Sequence, residues 1–141
     1  MIELLHVATV GGHPLRFFRT PLNDGRPDMP WHCVDDLHKC LGLNRDLRRV
    51  FLRKLKGAKW PSAAAAADGI ITIAPHFVAQ GTIDAMTDVG VAPKSVRAEY
   101  DHAGAEALKK LGVPFPLPSD EWFGWMKAAM NRWNGSKEAT E

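Results

Sequence analysis

The chain reads as an α+β fold: a small antiparallel sheet with about five helices, two of them forming a helix-turn-helix-like pair. Three observations predict it. Residues 3–10 and 13–19 read as two short strands around Gly11-Gly12, a dipeptide suited to a tight hairpin turn. Later segments carry apolar residues at helical rather than alternating spacing. A short turn, Gly42-Leu43-Asn44, joins two helical patterns, as in helix-turn-helix units.

The hairpin is followed by Thr20–Pro30, rich in Pro, Gly, Asn and Asp and therefore a loop. Trp31–Val34 reads as a short strand entering a first helix at about Asp35–Leu41, with Leu37, Cys40 and Leu41 on one side and two aspartates near its positive end. Gly42 suits the end of that helix and Asn44 the cap of the next, which runs from Arg45 to about Lys56. Five consecutive alanines in Ser62–Asp68 suggest a helical turn or a loose surface loop. Ile70–Ile73 is a short apolar strand between Gly69 and Pro75. Two helices follow over roughly Pro75–Val89 and Pro93–Leu111, each opening near a proline and closing beside a glycine. A Pro-rich connector, Val113–Pro118, leads to a last helix, Ser119–Trp133. The expected organisation is an α+β domain over residues 1–113, then residues 114–141 as connector and Trp-rich amphipathic helix.

At 141 residues and 45% hydrophobic content, the chain is sized for one domain with a real core. No run of residues is long and apolar enough to span a bilayer, and the first residues lack a secretory signal pattern. Two cysteines, Cys33 and Cys40, are too few for a disulfide scaffold and fit a reduced cytosol, so the expected location is cytoplasmic. His32, Cys33, His38 and Cys40 lie close in sequence but not in zinc-ligand spacing, so no metal is expected. His76 and His102 are each isolated on predicted helices and are assigned to the surface or core edge. Asp35, Asp36 and His38 surround no nucleophile, and the glycines form no phosphate loop or dinucleotide fingerprint. Neither enzymatic activity nor a cofactor is expected.

The formal net charge of +2 conceals a strong asymmetry. Between Lys39 and Lys59, eight Lys and Arg face one Asp, a local charge of +7, which leaves −5 for the rest of the chain. On a helical projection Arg45, Arg48, Arg49, Arg53, Lys56 and Lys59 fall within an arc of about 140°. Leu47, Val50, Phe51 and Leu55 occupy the opposite arc as an expected core face. Lys54 intrudes on the apolar arc and Leu52 on the cationic one. No acid at i+4 screens the arginines, so the face repels itself unless a polyanion offsets it. In helix-turn-helix geometry Arg45, Arg48 and Arg49 would enter the major groove, while Arg53, Lys56 and Lys59 hold phosphates. Double-stranded DNA is the expected partner, and a homodimer on paired half-sites is compatible with the pattern. A rival expectation is a small non-enzymatic inhibitor or adaptor that grips an acidic surface of a host protein.

Around this helix the sequence resembles the Bro-N domain family of phage antirepressors and baculovirus-repeat proteins. Trp31, Asp36-Leu37 and Leu41-Gly42-Leu43 match the family's Trp-Phe-x-x-x-Asp-Val and Leu-Gly-Tyr pattern, and Val91–Arg97 is similar to its later Val-Leu-Pro-x-Ile-Arg. The chain departs from the pattern at His32 and near Ile73–Phe77. The resemblance covers about residues 3–100 and implies DNA binding or transcriptional interference in a phage or mobile-element setting. Outside it, Trp122, Trp125, Met126, Ala129, Met130 and Trp133 recur at helical spacing. That stripe is expected to pack on its own domain or a second copy, or to dock into a partner's groove. Lys127 and Arg132 lie off it, and a membrane-surface role finds little support in them.

Overall fold

The computed structural model describes residues 1–112 and 120–139, with no account of the side chains of 121, 122 and 134–139. The Pro-rich connector therefore lies outside the described residues, as does the Trp122 side chain. The elements are β1 (Leu4–Val10), β2 (His13–Phe18), β3 (Trp31–Cys33), α1 (Val34–Cys40), α2 (Arg45–Leu55), β4 (Ala63–Ala66), β5 (Gly69–Ala74), α3 (His76–Asp88), α4 (Ser95–Lys110) and α5 (Asp120–Ala139). The α+β class holds, with five strands among the described residues in the order β1-β2-β3-β5-β4, all paired antiparallel.

The hairpin turn is as its residues demand. Gly11 and Gly12 both have positive φ, 59° and 80°, and the turn is pressed onto α1. A Cβ at Gly11 would stand 2.1 Å from the Cys40 carbonyl oxygen, while the Gly11 N–H donates to the Glu99 carboxylate at 2.7 Å. Only glycine fits that approach. The alanine run is a correction: Ala63–Ala66 is a strand, paired residue for residue with Gly69–Thr72. Alanine has little strand preference of its own, so its apolar neighbour β5 and the tight turn to it decide the conformation. A hydrogen bond from Ile2 N–H to the Ala65 carbonyl, 2.8 Å, brings the two ends of the strand order together.

Alternation along β2 and β3 splits the apolar residues between two clusters. Leu15 and Phe17 join Leu37 and Cys40 of α1, Leu41 just after it, Ile83 of α3, and Val96 and Tyr100 of α4 in the larger one. Phe18, Trp31, Cys33 and Ile73 form the smaller, closed by Trp60, Ala64 and Trp133. Helix α5 thus returns to the domain: Ala129 is buried, and the Trp133 indole packs edge-on against Trp31 and Trp60. Asp28 accepts both the Trp31 and Trp133 indole N–H groups, at 2.8 and 3.0 Å. Arg132, expected off the packing stripe, is buried, paired with Asp24 and donating to the Arg26 and Pro27 carbonyls. Trp125 and Met126 are half-buried, whereas Met130 is exposed. Among the described residues no helix is long and apolar enough to cross a membrane.

Candidate nucleic-acid interface

The turn between α1 and α2 is built from its own side chains. Gly42, with φ 64°, ends α1, and the Leu43 N–H reaches back to the His38 carbonyl at 3.0 Å while Leu43 itself is buried. Asn44 then caps α2, its side-chain oxygen accepting from the Leu47 N–H at 2.9 Å. This fixes where the second helix starts and which way its face points.

That helix is held lightly. None of its residues is buried; Leu47 and Phe51 reach the core only in part, and Val50, expected in the core face, is exposed. Its other side, with Leu43, lines an open groove of about 780 Å³. Arg45, Arg48, Arg49, Arg53 and Lys56 border the groove, with Leu52 among them. Lys59 is not brought to it: the helix ends at Leu55, Gly57 turns the chain with φ 89°, and Lys59 projects beyond. Arg48 is partly committed inward. Its Nε donates to the Leu43 carbonyl at 3.0 Å, and its guanidinium lies 3.9 Å from Asp35, so it braces the turn. Arg45, Arg49, Arg53 and Lys56 have no ion-pair partner among the described residues.

Outside α2, Arg16, Arg19, Arg97 and Arg132 are each paired with an acid, while exposed Arg26 makes no ion pair among the described residues. Arg16 grips Asp36 with two nitrogens, at 2.8 and 3.1 Å, and Asp68 with a third at 2.8 Å. These bonds hold the guanidinium well above its usual pKa against the cost of burial. Asp36, expected to serve the α1 dipole, is instead the anchor between α1 and β2. Arg97 similarly bridges Asp84 and Asp88.

Other expected or overlooked groups have structural places. Cys33 and Cys40 are buried free thiols, and burial raises the pKa of both, Cys40 to about 12. Among the described residues no group of His, Cys, Asp and Glu is arranged to hold a metal. His102 is exposed, as expected, but His76 belongs to an interior chain that sequence reading missed. Tyr100 Oη lies 2.8 Å from His32 Nε2 and 2.8 Å from His76 Nδ1, and His32 Nδ1 is 3.3 Å from the Arg16 carbonyl. A carbonyl only accepts, so His32 carries its proton on Nδ1, the Tyr100 hydroxyl donates to His32 Nε2, and His76 donates to Tyr100. Burial holds His32 neutral, its pKa lowered to about 3, and pushes Tyr100 well above its usual value. The chain ties β3, α3 and α4 together. No protein-family model, curated protein or solved structure matches the chain.

Proposed function

We propose that this chain is a DNA-binding regulatory protein of the phage or mobile-element antirepressor kind, acting by binding rather than catalysis. Its contact element is α2. The observation that carries the reading is the largely uncompensated cationic face: Arg45, Arg49, Arg53 and Lys56 border one groove and form no ion pair among the described residues, with Asp46 the lone acid on the helix. A polyanion supplies the missing countercharge. In this reading Arg45 and Arg49 at the first turns address base edges and phosphates, Arg53 and Lys56 hold phosphates, and Arg48 keeps the turn in place. The Bro-N resemblance points the same way, since its motifs run through α1 and the turn that presents α2.

The test is fluorescence anisotropy of a labelled duplex. Four phosphate contacts predict that affinity falls roughly 10²-fold between about 50 and about 200 mM salt. A duplex that is not retained at the lower salt removes the reading. If affinity capture then yields a nuclease-resistant complex with an acidic host protein, the same face belongs to an inhibitor or adaptor.

A further inference from the structure

Helix α2 carries one side chain that a purely cationic face does not explain. Leu47 and Phe51 pack against the larger core, but Leu52 stands on the other side, 42% exposed, on the wall of the open groove. Arg45, Arg48, Arg49, Arg53 and Lys56 line the same groove around it. Counted from Arg45 the six recur at i, i+3, i+4, i+7, i+8 and i+11, the spacing of one helical stripe. At about 100° per residue, Arg48 and Arg53 fall on the two flanks of that stripe. Arg45, Arg49 and Leu52 run along its middle, within about 30° of the centre line. Lys56 follows as the cap, outside the helix proper.

This layout matches the major groove of a duplex. That groove is about 12 Å wide and admits an α-helix, whose flanks then meet the two phosphate backbones while its middle meets the base edges. Leu52 lies about 10 Å along the axis from Arg45, about three base-pair steps, so the leucine meets a different pair from the leading arginine. Phosphates offer a leucine nothing, since it brings neither charge nor a donor. Among the base edges of the major groove, thymine alone presents a methyl group, at C5. Taking that methyl and the leucine out of water together is the gain open to an apolar side chain at this place.

We infer that Leu52 reads thymine. Its methyl groups close on the C5-methyl of a thymine in the major groove, while the arginines beside it hold neighbouring bases and phosphates. This rests on the DNA-binding reading of α2, and it gives that helix a preference for A·T pairs that arginine forks onto guanine would not confer.

The test compares two duplexes of alternating adenine and thymine, one of them with every thymine replaced by deoxyuridine. The exchange removes the methyl groups and leaves charge and base pairing as they were. Every register loses them, so no target sequence need be known. In anisotropy at about 50 mM salt, the thymine duplex should bind about fourfold more tightly, the factor that one buried methyl group implies. Leu52→Ala, at an exposed helical position where alanine favours the helix, should bind the two duplexes equally. Val50→Ala, at a position 45% exposed on the same helix but away from the groove, should keep the fourfold ratio. Equal affinity of the unaltered chain for both duplexes would overturn the inference and leave DNA binding by α2 in place. So would a ratio that survives in Leu52→Ala, which would trace the preference to duplex shape. Retention of neither duplex would remove the DNA-binding reading and the role of Leu52 with it.

Discussion

Arg16 and Arg49 carry the same guanidinium, yet the molecule treats them in opposite ways. Arg16 sits at the junction of β2 and α1, mostly enclosed, with Asp36 and Asp68 taking its donors. Arg49 stands on a helix with no buried residue, beside Arg45 and Arg53, and forms no ion pair among the described residues. Taking a charge out of water is tolerated only where a partner repays the lost hydration. Gathering like charges on a surface is tolerated where something outside the chain neutralises them. Arginine content alone therefore says little about binding; the presence or absence of an acid in reach separates the arginines that hold the fold from those that face outward.

The largest effect that would sharpen this contrast is the loss of the outward set. Replacing Arg45, Arg49 and Arg53 together with Gln is expected to lower duplex affinity about a hundredfold at low salt, each phosphate contact contributing roughly 1 kcal/mol. The melting temperature should stay level or rise slightly, because mutual repulsion is relieved. An equal loss of stability would erase the distinction between the two regions.

The inward set predicts the reverse. Arg16→Leu leaves Asp36 mostly enclosed without its partner, and should lower the unfolding free energy by about 2 kcal/mol, a figure set below the fully buried case because Arg16 keeps some exposure. Urea titration reads this directly, while duplex affinity per folded molecule should not move.

How much of this contrast was legible beforehand depended on distance along the chain. The hairpin turn, the Gly42 stop and the Asn44 cap are local, settled within a few residues, and the sequence shows them. The cationic arc was equally visible, because a helix face is a local pattern. Arg16 was not, since its acids lie 20 and 52 residues away. Tyr100 looked like one more apolar position on α4, although its hydroxyl meets residues 68 and 24 positions distant. Ala63–Ala66 is a strand through its pairing with β5, which no property of alanine announces. Lys54 stands out as an anomaly on the apolar arc, and the fold leaves it exposed with its ammonium near the Phe51 ring.

The interior histidines extend the comparison to pH, because they titrate where arginines do not. His32, His38 and His76 all have pKa values lowered first by burial, His32 to about 3. Unfolded, each binds a proton near 6.5; folded, each resists it. The unfolded state therefore binds more protons as the medium becomes acid. The contribution is complete above about pH 6.5 and is lost progressively below it, by up to about 1.4 kcal/mol per pH unit for each histidine that stays neutral. Between about pH 6.5 and 4.5, above the usual carboxylate range, urea midpoints should fall, with duplex affinity per folded molecule nearly constant. Midpoints that held steady over that interval would contradict interior histidines that stay neutral in the fold.

The smallest effect concerns Asp46, the lone acid within α2. It lies in the first turn, where a carboxylate favours the helix dipole, and it is exposed. Asp46→Asn removes that favourable term and should lower stability by about 0.5 kcal/mol. The same change adds one positive charge to a face already in excess, and should tighten duplex binding by about two- to threefold at low salt, with the gain screened away as salt rises. Stability and affinity thus move in opposite directions from a single atom exchange. For Asp36, which is committed to Arg16, the corresponding Asn substitution should cost stability and bring no gain in affinity. Paired anisotropy and melting measurements on the two variants ask whether a carboxylate belongs to the fold or merely sits beside the groove.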